Sequence, residues 1–297
     1  MSEPVRTLGL FGNPDKPEID DAIANLRELC AEQGVGLLAT EDLANGGPAA
    51  GLPVAATEQL GRRCDVVIVY GGDGTMLRAA RLLGDTGVPL LGINLGSLGY
   101  LTDVPVTEQA DAVRQLVAGE FQVVERSRVS AVVRRDGREV TRTEALNDIV
   151  VNMGSLPRAL TMQVRVNQAT LGQFIGDGLI VSTPTGSTAY NLSAGGPIVH
   201  PAVQGLLVTP ICPHSLAIRP LLVPEEKRIE LRLLEVGQGA TLTADGQIAF
   251  SLERDDRIVY RKARRPVLLV KFPRSDFLRA MRHKLQWGAI KRRRRRT

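Results

Sequence analysis

Gly71-Gly72-Asp73-Gly74-Thr75 packs three glycines and one carboxylate into five residues. The apolar run before it, Asp65-Val66-Val67-Ile68-Val69-Tyr70, reads as a buried strand, and Met76-Leu77-Arg78-Ala79-Ala80-Arg81-Leu82-Leu83 after it reads as a helix. The stretch therefore sits on a strand-to-helix turn. Glycine allows a tight bend and close approach of a ligand to the backbone, and a helix start offers amides and a positive dipole end to phosphate. Gly71, Gly72, Gly74 and Thr75 thus make a candidate phosphate loop. A carboxylate repels phosphate, so Asp73 needs a reason to be there. The chemical one is to take the proton from a hydroxyl that attacks a phosphoryl group. The bland alternative is a glycine-rich turn with no ligand. The dinucleotide fingerprint fails because Leu77 stands where its third glycine belongs, and the Walker pattern fails because the chain has no Gly-Lys pair. No protein-kinase signature set appears either.

A second chemical run opens at Asp177-Gly178 and continues through Ser182-Thr183-Pro184-Thr185-Gly186-Ser187-Thr188-Ala189-Tyr190-Asn191-Leu192-Ser193 to Gly195-Gly196-Pro197. Hydroxyls and amides on a glycine-rich bend suit a sugar, an amide or a phosphate. The alternative is a turn whose Ser and Thr satisfy their own backbone, but a plain turn needs only about four residues. Asn147-Asp148, between Leu146 and Ile149-Val150-Val151, must find partners if buried; these residues either close a turn or hydrogen-bond a ribose. Asp245-Gly246-Gln247 reads most simply as a hairpin turn. His200, His214 and His283 lack ligand spacing and read as structural, and no zinc set is present.

The elements that must carry these residues come in two styles. Up to residue 120, strands at Arg6–Phe11, Val35–Ala39, 65–70 and 88–93 alternate with helices at Pro17–Gln33 and 75–83. This predicts an α/β domain with a parallel sheet. In such sheets ligands lie beyond the carboxyl ends of the strands, where Asp73 and Asn94 fall. From 121 to 272, short strands (Val129–Val133, Glu139–Thr143, Ile149–Val151, Thr161–Val166, Leu179–Val181, Ile229–Leu234, Val267–Lys271) predict an all-β, sandwich-like domain, with a turn at Asp136-Gly137. Over 273–290 a terminal helix, capped by Ser275 and running from Asp276 to Trp287, is expected to pack back on the first domain. Residues 291–297 form a basic tail expected to be disordered.

The net charge of +5 over 297 residues is dominated by the six consecutive basic residues Lys291–Arg296, so the body is near neutral. The tail reads first as a solvated end. Electrostatics alone would also bring it to nucleic acid or another polyanion, although few aromatics are on hand for base stacking. No apolar run is long enough for a membrane span, and the N-terminus lacks signal-peptide regions. Three scattered cysteines, Cys30, Cys64 and Cys212, exclude a disulfide framework and read as apolar fillers in a reducing cytoplasm.

Taken together, these segments resemble the NAD kinase family. Gly71–Thr75 is shared with phosphofructokinases and with diacylglycerol and sphingosine kinases. Gly92-Ile93-Asn94-Leu95-Gly96-Ser97-Leu98-Gly99-Tyr100-Leu101 resembles a narrower motif, and Asp177 to Tyr190 the family's most distinctive one. Thr209-Pro210-Ile211-Cys212-Pro213-His214-Ser215-Leu216, with Arg219-Pro220 after it, and Asp245-Gly246-Gln247 fall where further family motifs belong.

The resemblance implies phosphoryl transfer to the 2′-hydroxyl of the adenosine ribose of NAD, giving NADP, with ATP or polyphosphate as donor and a divalent cation, Mg²⁺ by preference. It makes Asp73 the base and lays Gly74 against the same ligand. It gives Asn147 and Asp148 to the ribose, and Asp177, Thr185, Thr188, Ala189, Tyr190, Asn191, Leu192 and Ser193 to the NAD pocket. Arg78, Arg158 and Gln247 become dinucleotide contacts. The metal would ride on the phosphoryl donor without protein-only ligands. The resemblance also implies a homodimer or homotetramer in the cytoplasm, whose pocket can borrow residues from a neighbour. Asp148 replaces the family's usual Glu, and Ile175 stands where many members carry a basic residue. Two other functions fit the loop alone: a lipid kinase, which would need an apolar acceptor pocket, and a non-catalytic dinucleotide sensor.

Overall fold

In the first unit of the chain, continuous apolar runs become the central strands of a parallel sheet. The computed structural model describes residues 4–285 except 97–98, 103, 155–157, 238 and 274–275. The predicted cap Ser275, the helix end at Trp287, the basic tail and Ser97-Leu98 of the second motif lie outside the described residues. The elements begin β1 (Thr7–Gly12), α1 (Glu18–Gln33), β2 (Gly36–Ala39), α2 (Glu41–Ala44), α3 (Thr57–Arg63), β3 (Val66–Tyr70), α4 (Asp73–Leu83), β4 (Leu90–Asn94), β5 (Val104–Pro105), α5 (Gln109–Val117) and β6 (Gln122–Arg126). β3 and β4 are buried at every position, as strands covered on both faces must be. α1 carries Glu18, Asp20 and Asp21 in its first turn and stops at Gly34, which takes φ 68°. It seats Ile19, Ile23 and Leu26 against Leu8, Leu10 and Ile68. Tyr70 donates its hydroxyl to Gln109 Oε1 at 2.7 Å, and Gln109 Nε2 donates to the Ala22 carbonyl at 2.9 Å.

The remaining elements are β7 (Val129–Arg135), β8 (Arg138–Ala145), β9 (Asp148–Met153), β10 (Leu160–Val166), β11 (Ala169–Gly176), β12 (Gly178–Ser182), α6 (Tyr190–Ser193), β13 (Gly205–Ile211), β14 (Leu221–Pro224), β15 (Ile229–Glu235), β16 (Ala240–Ala244), β17 (Ile248–Leu252), β18 (Arg257–Lys262), β19 (Val267–Lys271) and α7 (Phe277–Leu285). The first sheet runs β2-β1-β3-β4-β19-β6, with β5 on β4; two six-stranded sheets run β11-β10-β15-β18-β7-β8 and β14-β13-β12-β9-β16-β17. β19, read from sequence as the last strand of the β half, pairs instead in parallel with β4 through Leu269 and Leu90. The chain divides into two units: residues to 76, 88–124 and from 269 on, and residues 77–87 with 125–268.

The second unit is a sandwich whose two antiparallel sheets share one core, which includes Val129, Val133, Ile149, Leu179, Leu231 and Tyr260. Alternate residues of β7, β10 and β15 are buried, the mark of a sheet with one face on the core. The Asp136-Gly137 and Asp245-Gly246 turns take positive φ at both residues; the first is a two-residue hairpin closed by Arg135 and Arg138, and the second carries Gln247 as a third loop residue between Ala244 and Ile248. Among the described residues no helix is long and apolar enough to cross a membrane.

Candidate active site

In the first unit the chemistry gathers at the carboxyl ends of β3 and β4. Gly71 takes φ 151°, and a Cβ there would lie 2.3 Å from Thr75 Oγ1, so only glycine lets the chain turn over its own helix start. The Gly72 carbonyl accepts the Thr75 and Met76 amides at 3.1 Å each. α4 therefore begins at Asp73, earlier than residue 75 as read from sequence, because the motif is itself the first helical turn.

The Asp73 carboxylate is gripped by the segment after β4. Its Oδ2 accepts the Tyr100 amide at 3.0 Å, and its Oδ1 accepts the Leu101 amide at 3.0 Å, the Thr102 amide at 3.3 Å and the Thr102 hydroxyl at 3.4 Å. A Cβ on Gly99 would lie 2.1 Å from Oδ1, so the grip depends on that glycine. Asn94 fixes the segment by donating Nδ2 to Thr102 Oγ1 at 2.9 Å and accepting the Gly96 amide at 2.6 Å. From α7, Lys284 Nζ reaches Oδ2 at 3.4 Å and lies 4.4 Å above the Tyr100 ring. Burial alone would raise the Asp73 pKa. The amides of Tyr100 and Leu101, the Lys284 ammonium and the Thr102 amide outweigh it and hold the carboxyl below the usual range.

In the second unit, Asn147 and Asp148 enter β9 beside the hydroxyl-rich run. The Asn147 carbonyl accepts the Thr183 amide at 2.9 Å and the Ser182 hydroxyl at 3.1 Å. Gly186 rests on the Asn147 backbone so closely that a Cβ would lie 2.2 Å from its carbonyl oxygen. Thr183 Oγ1 donates to the Leu146 carbonyl at 2.6 Å and accepts the Gly186 amide at 3.1 Å.

Asp148, only 5% exposed, faces the Tyr190 amide at the start of α6. Its pKa rises to about 7 through burial and the nearby Asp245 carboxylate, with the Tyr190 hydrogen bond opposing. Asp245 accepts the amides of Leu146, Asn147 and Asp148 at 2.9, 2.8 and 3.2 Å. Burial still leaves its pKa raised against those three bonds and the Arg81 charge. From residue type alone Asp245 reads as a turn residue; in the structure it takes φ 49° and its carboxylate accepts the amides at the start of β9.

The predicted residues fall into separate groups. Asn147, Asp148, Thr185, Thr188, Ala189 and Tyr190 meet at one end of β9 and β12, and Gln247 sits in the hairpin turn beside Asp245. Asp177 lies at the other end of β12, roughly 16 Å of strand away, where its amide donates to the Ile211 carbonyl at 2.9 Å. Its side chain raises the pKa of Cys212 by hydrogen bonding, so Cys212, exposed and at φ 44°, is not the apolar filler expected. Arg158 packs against Gly237. Between the two ends, the turn after α6 lays Ala194 on Val150, Ile180 and Ile211.

Tyr190 and Ser193 are exposed. Asn191 is fully buried and braces the loop: its Nδ2 donates to the Ser187 and Pro197 carbonyls at 3.0 Å each, and its Oδ1 accepts the Thr209 hydroxyl at 2.6 Å. Arg78 is an exposed residue of α4. Among the described residues no group of three or more His, Cys, Asp or Glu could hold a metal ion. Asp73 Oδ1 carries three donors and Oδ2 two.

Two family models match the chain: the ATP-NAD kinase N-terminal domain over residues 8–121 and the ATP-NAD kinase C-terminal domain over residues 146–272. The NAD kinase of Desulforamulus reducens is 37% identical over 284 residues, 95% of this chain and 98% of the relative. That of Geotalea daltonii is 42% identical over 234 residues, 79% and 82% of the two chains. Among solved structures, yeast NADH kinase complexed with NADH superposes with a TM-score of 0.88 at 26% identity, covering 98% of this chain and 90% of that one. An NAD kinase from Archaeoglobus fulgidus in complex with ATP gives 0.73 at 26% identity, covering 94% and 98%. With both halves matched and full-length relatives at this identity, the chain belongs to the NAD kinase family and is an enzyme with that family's ATP-dependent kinase activity.

Proposed function

We propose that Asp73 is the general base of this NAD kinase, taking the proton of the adenosine-ribose 2′-hydroxyl as the phosphoryl group of ATP moves to that oxygen. The observation that carries this reading is a carboxylate held ionised by three backbone amides at the first turn of α4, with 30% of its side chain still exposed. A loose phosphoryl-transfer transition state asks little strength of a base and much of its placement. The proton leaves oxygen late, onto Oδ2, as the hydroxyl displaces the Lys284 ammonium from that atom.

Asn147 and Asp148 hold the ribose, and Thr185, Thr188, Ala189, Tyr190, Leu192 and Ser193 line the NAD pocket. Asp177 and Arg158 take more distant parts of the dinucleotide, whose extended length suits the span of β12, and Gln247 contacts it from the hairpin turn beside Asp245, at the Asp148 end. Gly71, Gly72, Gly74 and Thr75 form the phosphate loop, with Arg78 beside it on α4. Asn191 supports the pocket from within. A divalent cation arriving on the donor phosphates would offset their charge. The NADH and ATP of the two solved relatives support both substrate assignments. We place the enzyme in the cytoplasm as a homo-oligomer.

The test is Asp73→Asn, assayed with NAD, ATP and magnesium and with NADP measured by mass spectrometry. The expected result is turnover lower by ~10²–10⁴-fold with NAD still bound. Wild-type turnover would remove Asp73 from the role.

A further inference from the structure

We propose that the outer face of the sheet β11-β10-β15-β18-β7-β8 binds a linear chain of phosphates, through arginines that take no part in the reaction above. The sandwich dictates which side chains face outward. Val129, Ala131 and Val133 of β7, Ile229, Leu231 and Leu233 of β15, and Ile258 and Tyr260 of β18 are buried. Residues 130, 132, 134, 230, 232, 257, 259 and 261 therefore point away from the core.

The strand register then sets like charges side by side. Arg232 pairs with Arg257, and Arg257 with Arg134, so three guanidiniums form a row across three neighbouring strands. Like charges directly opposite one another destabilise a sheet, and the fold alone gives no reason to keep this row. A groove of about 850 Å³ runs over the face, lined by Arg134, Arg142, Arg228, Arg232, Arg257 and Arg261 against only Asp136, Glu230 and Asp255.

Some of these charges are matched. Arg232 pairs with Asp255 at 2.7 Å, Arg142 with Glu139 at 3.0 Å, and Arg228 with Glu230. Among the described residues Arg134, Arg257 and Arg261 enter no ion pair. A second observation points the same way. The Nε atoms of Arg228 and Arg232, and of Arg165 on β10, are buried without an acceptor, though a buried donor normally has one.

The chemistry that satisfies such a row is phosphate. The guanidinium fork matches phosphate oxygens two at a time, and a chain crossing the strands meets an arginine about every 4.8 Å. Among the described residues no aromatic side chain lines the groove, so none there would stack on a base. That favours a phosphate chain without bases over nucleic acid.

The experiment compares the full chain with the triple variant Arg134→Gln, Arg257→Gln, Arg261→Gln, all three being exposed positions. Each is titrated with inorganic tripolyphosphate and long-chain polyphosphate by calorimetry at several salt concentrations. The variant should bind at least about tenfold more weakly, with a log–log salt slope shallower by roughly 2 and an unchanged kcat with ATP. A chain lacking residues 291–297 should still bind polyphosphate, and its binding should still fall on the triple substitution. Equal binding by the triple variant and the parent overturns the proposal. So does complete loss of binding on removing the tail. Tighter binding of a single-stranded oligonucleotide of equal phosphate count would overturn it by making the face a nucleic-acid surface. A changed sedimentation mass in the triple variant would overturn it by making the face an interface between copies.

Discussion

Replacing Asp148 by Asn should stabilise the protein at alkaline pH and leave it little changed in acid. In the folded chain the Asp148 pKa is raised from an ordinary 3.8 to about 7 by burial and by Asp245. Below pH ~4 the group is protonated in both folded and unfolded chains and costs nothing. As pH rises toward 7 the unfolded chain gives up the proton while the folded chain keeps it, so stability falls. Above pH 7 the loss is complete. At ~1.4 kcal/mol per pH unit, the gap of about three pH units amounts to ~4 kcal/mol. The asparagine side chain has no proton to lose, keeps an oxygen for the Tyr190 amide and does not repel Asp245. Chemical denaturation of both proteins from about pH 4 to 8.5 should show the variant's advantage growing from near zero to a few kcal/mol, flattening above pH 7. In parallel, the KM for NAD of the parent should fall as pH rises through 7, because an ionised Asp148 accepts ribose hydroxyls better, while the variant's should stay flat. A stability difference independent of pH would refute the reasoning, since it would mean that Asp148 titrates alike in both states.

Two further substitutions test the grip on Asp73. Gly99→Ala puts a Cβ 2.1 Å from Oδ1, which must retreat by about 1 Å; kcat should drop ~10²-fold, the cost typical of such a misplacement, and steady-state rates would show it against an unchanged far-ultraviolet spectrum. Lys284→Met removes a charge that helps depress the Asp73 pKa while keeping an unbranched side chain at that position. The Asp73 pKa should rise and the acid limb of kcat should move to higher pH, with the rate at about pH 8 preserved; a pH–rate profile carried down to roughly pH 3 checks both.

Much of this arrangement is legible in the sequence because local rules govern it. The strand-to-helix placement of Gly71–Thr75 follows from an apolar run, three glycines and a helical pattern, and the structure keeps it. Asp136-Gly137 and Asp245-Gly246 announce their hairpins by residue type alone. What stays hidden depends on distance along the chain. Lys284 lies 211 residues from Asp73, and no pattern around it differs from an ordinary basic turn of a helix. The grip of Tyr100, Leu101 and Thr102 is made by backbone amides, which any sequence has; the only trace is Gly99, whose missing Cβ makes room for the carboxylate. Asn191 looks like one more polar residue of a binding loop until its three partners are seen. β19 reads as a β-domain strand because apolar alternation does not say which sheet a strand joins.

The opposite environments of the two carboxylates bear on which of them removes the proton. Asp73 is pushed down by amides and an ammonium, and Asp148 is pushed up by burial beside a second acid. By basicity alone Asp148 would be the better acceptor, since a catalytic base works best with a pKa near the working pH. That advantage matters only if proton transfer is well advanced when the phosphoryl group moves. In a loose transition state the attacking hydroxyl is barely bonded and barely acidic, so a weak base already in place suffices. Asp148 is 5% exposed and its acceptor capacity is turned toward the Tyr190 amide, whereas Asp73 is 30% exposed. The two assignments predict different pH profiles. With Asp73 as base, kcat stays flat from about pH 8 to below 6 and falls only in strong acid, and Asp148→Asn leaves that shape alone while raising KM. With Asp148 as base, kcat falls below about pH 7 and nearly vanishes in Asp148→Asn. A limb of kcat near pH 7 that disappears with Asp148 would transfer the base role to it.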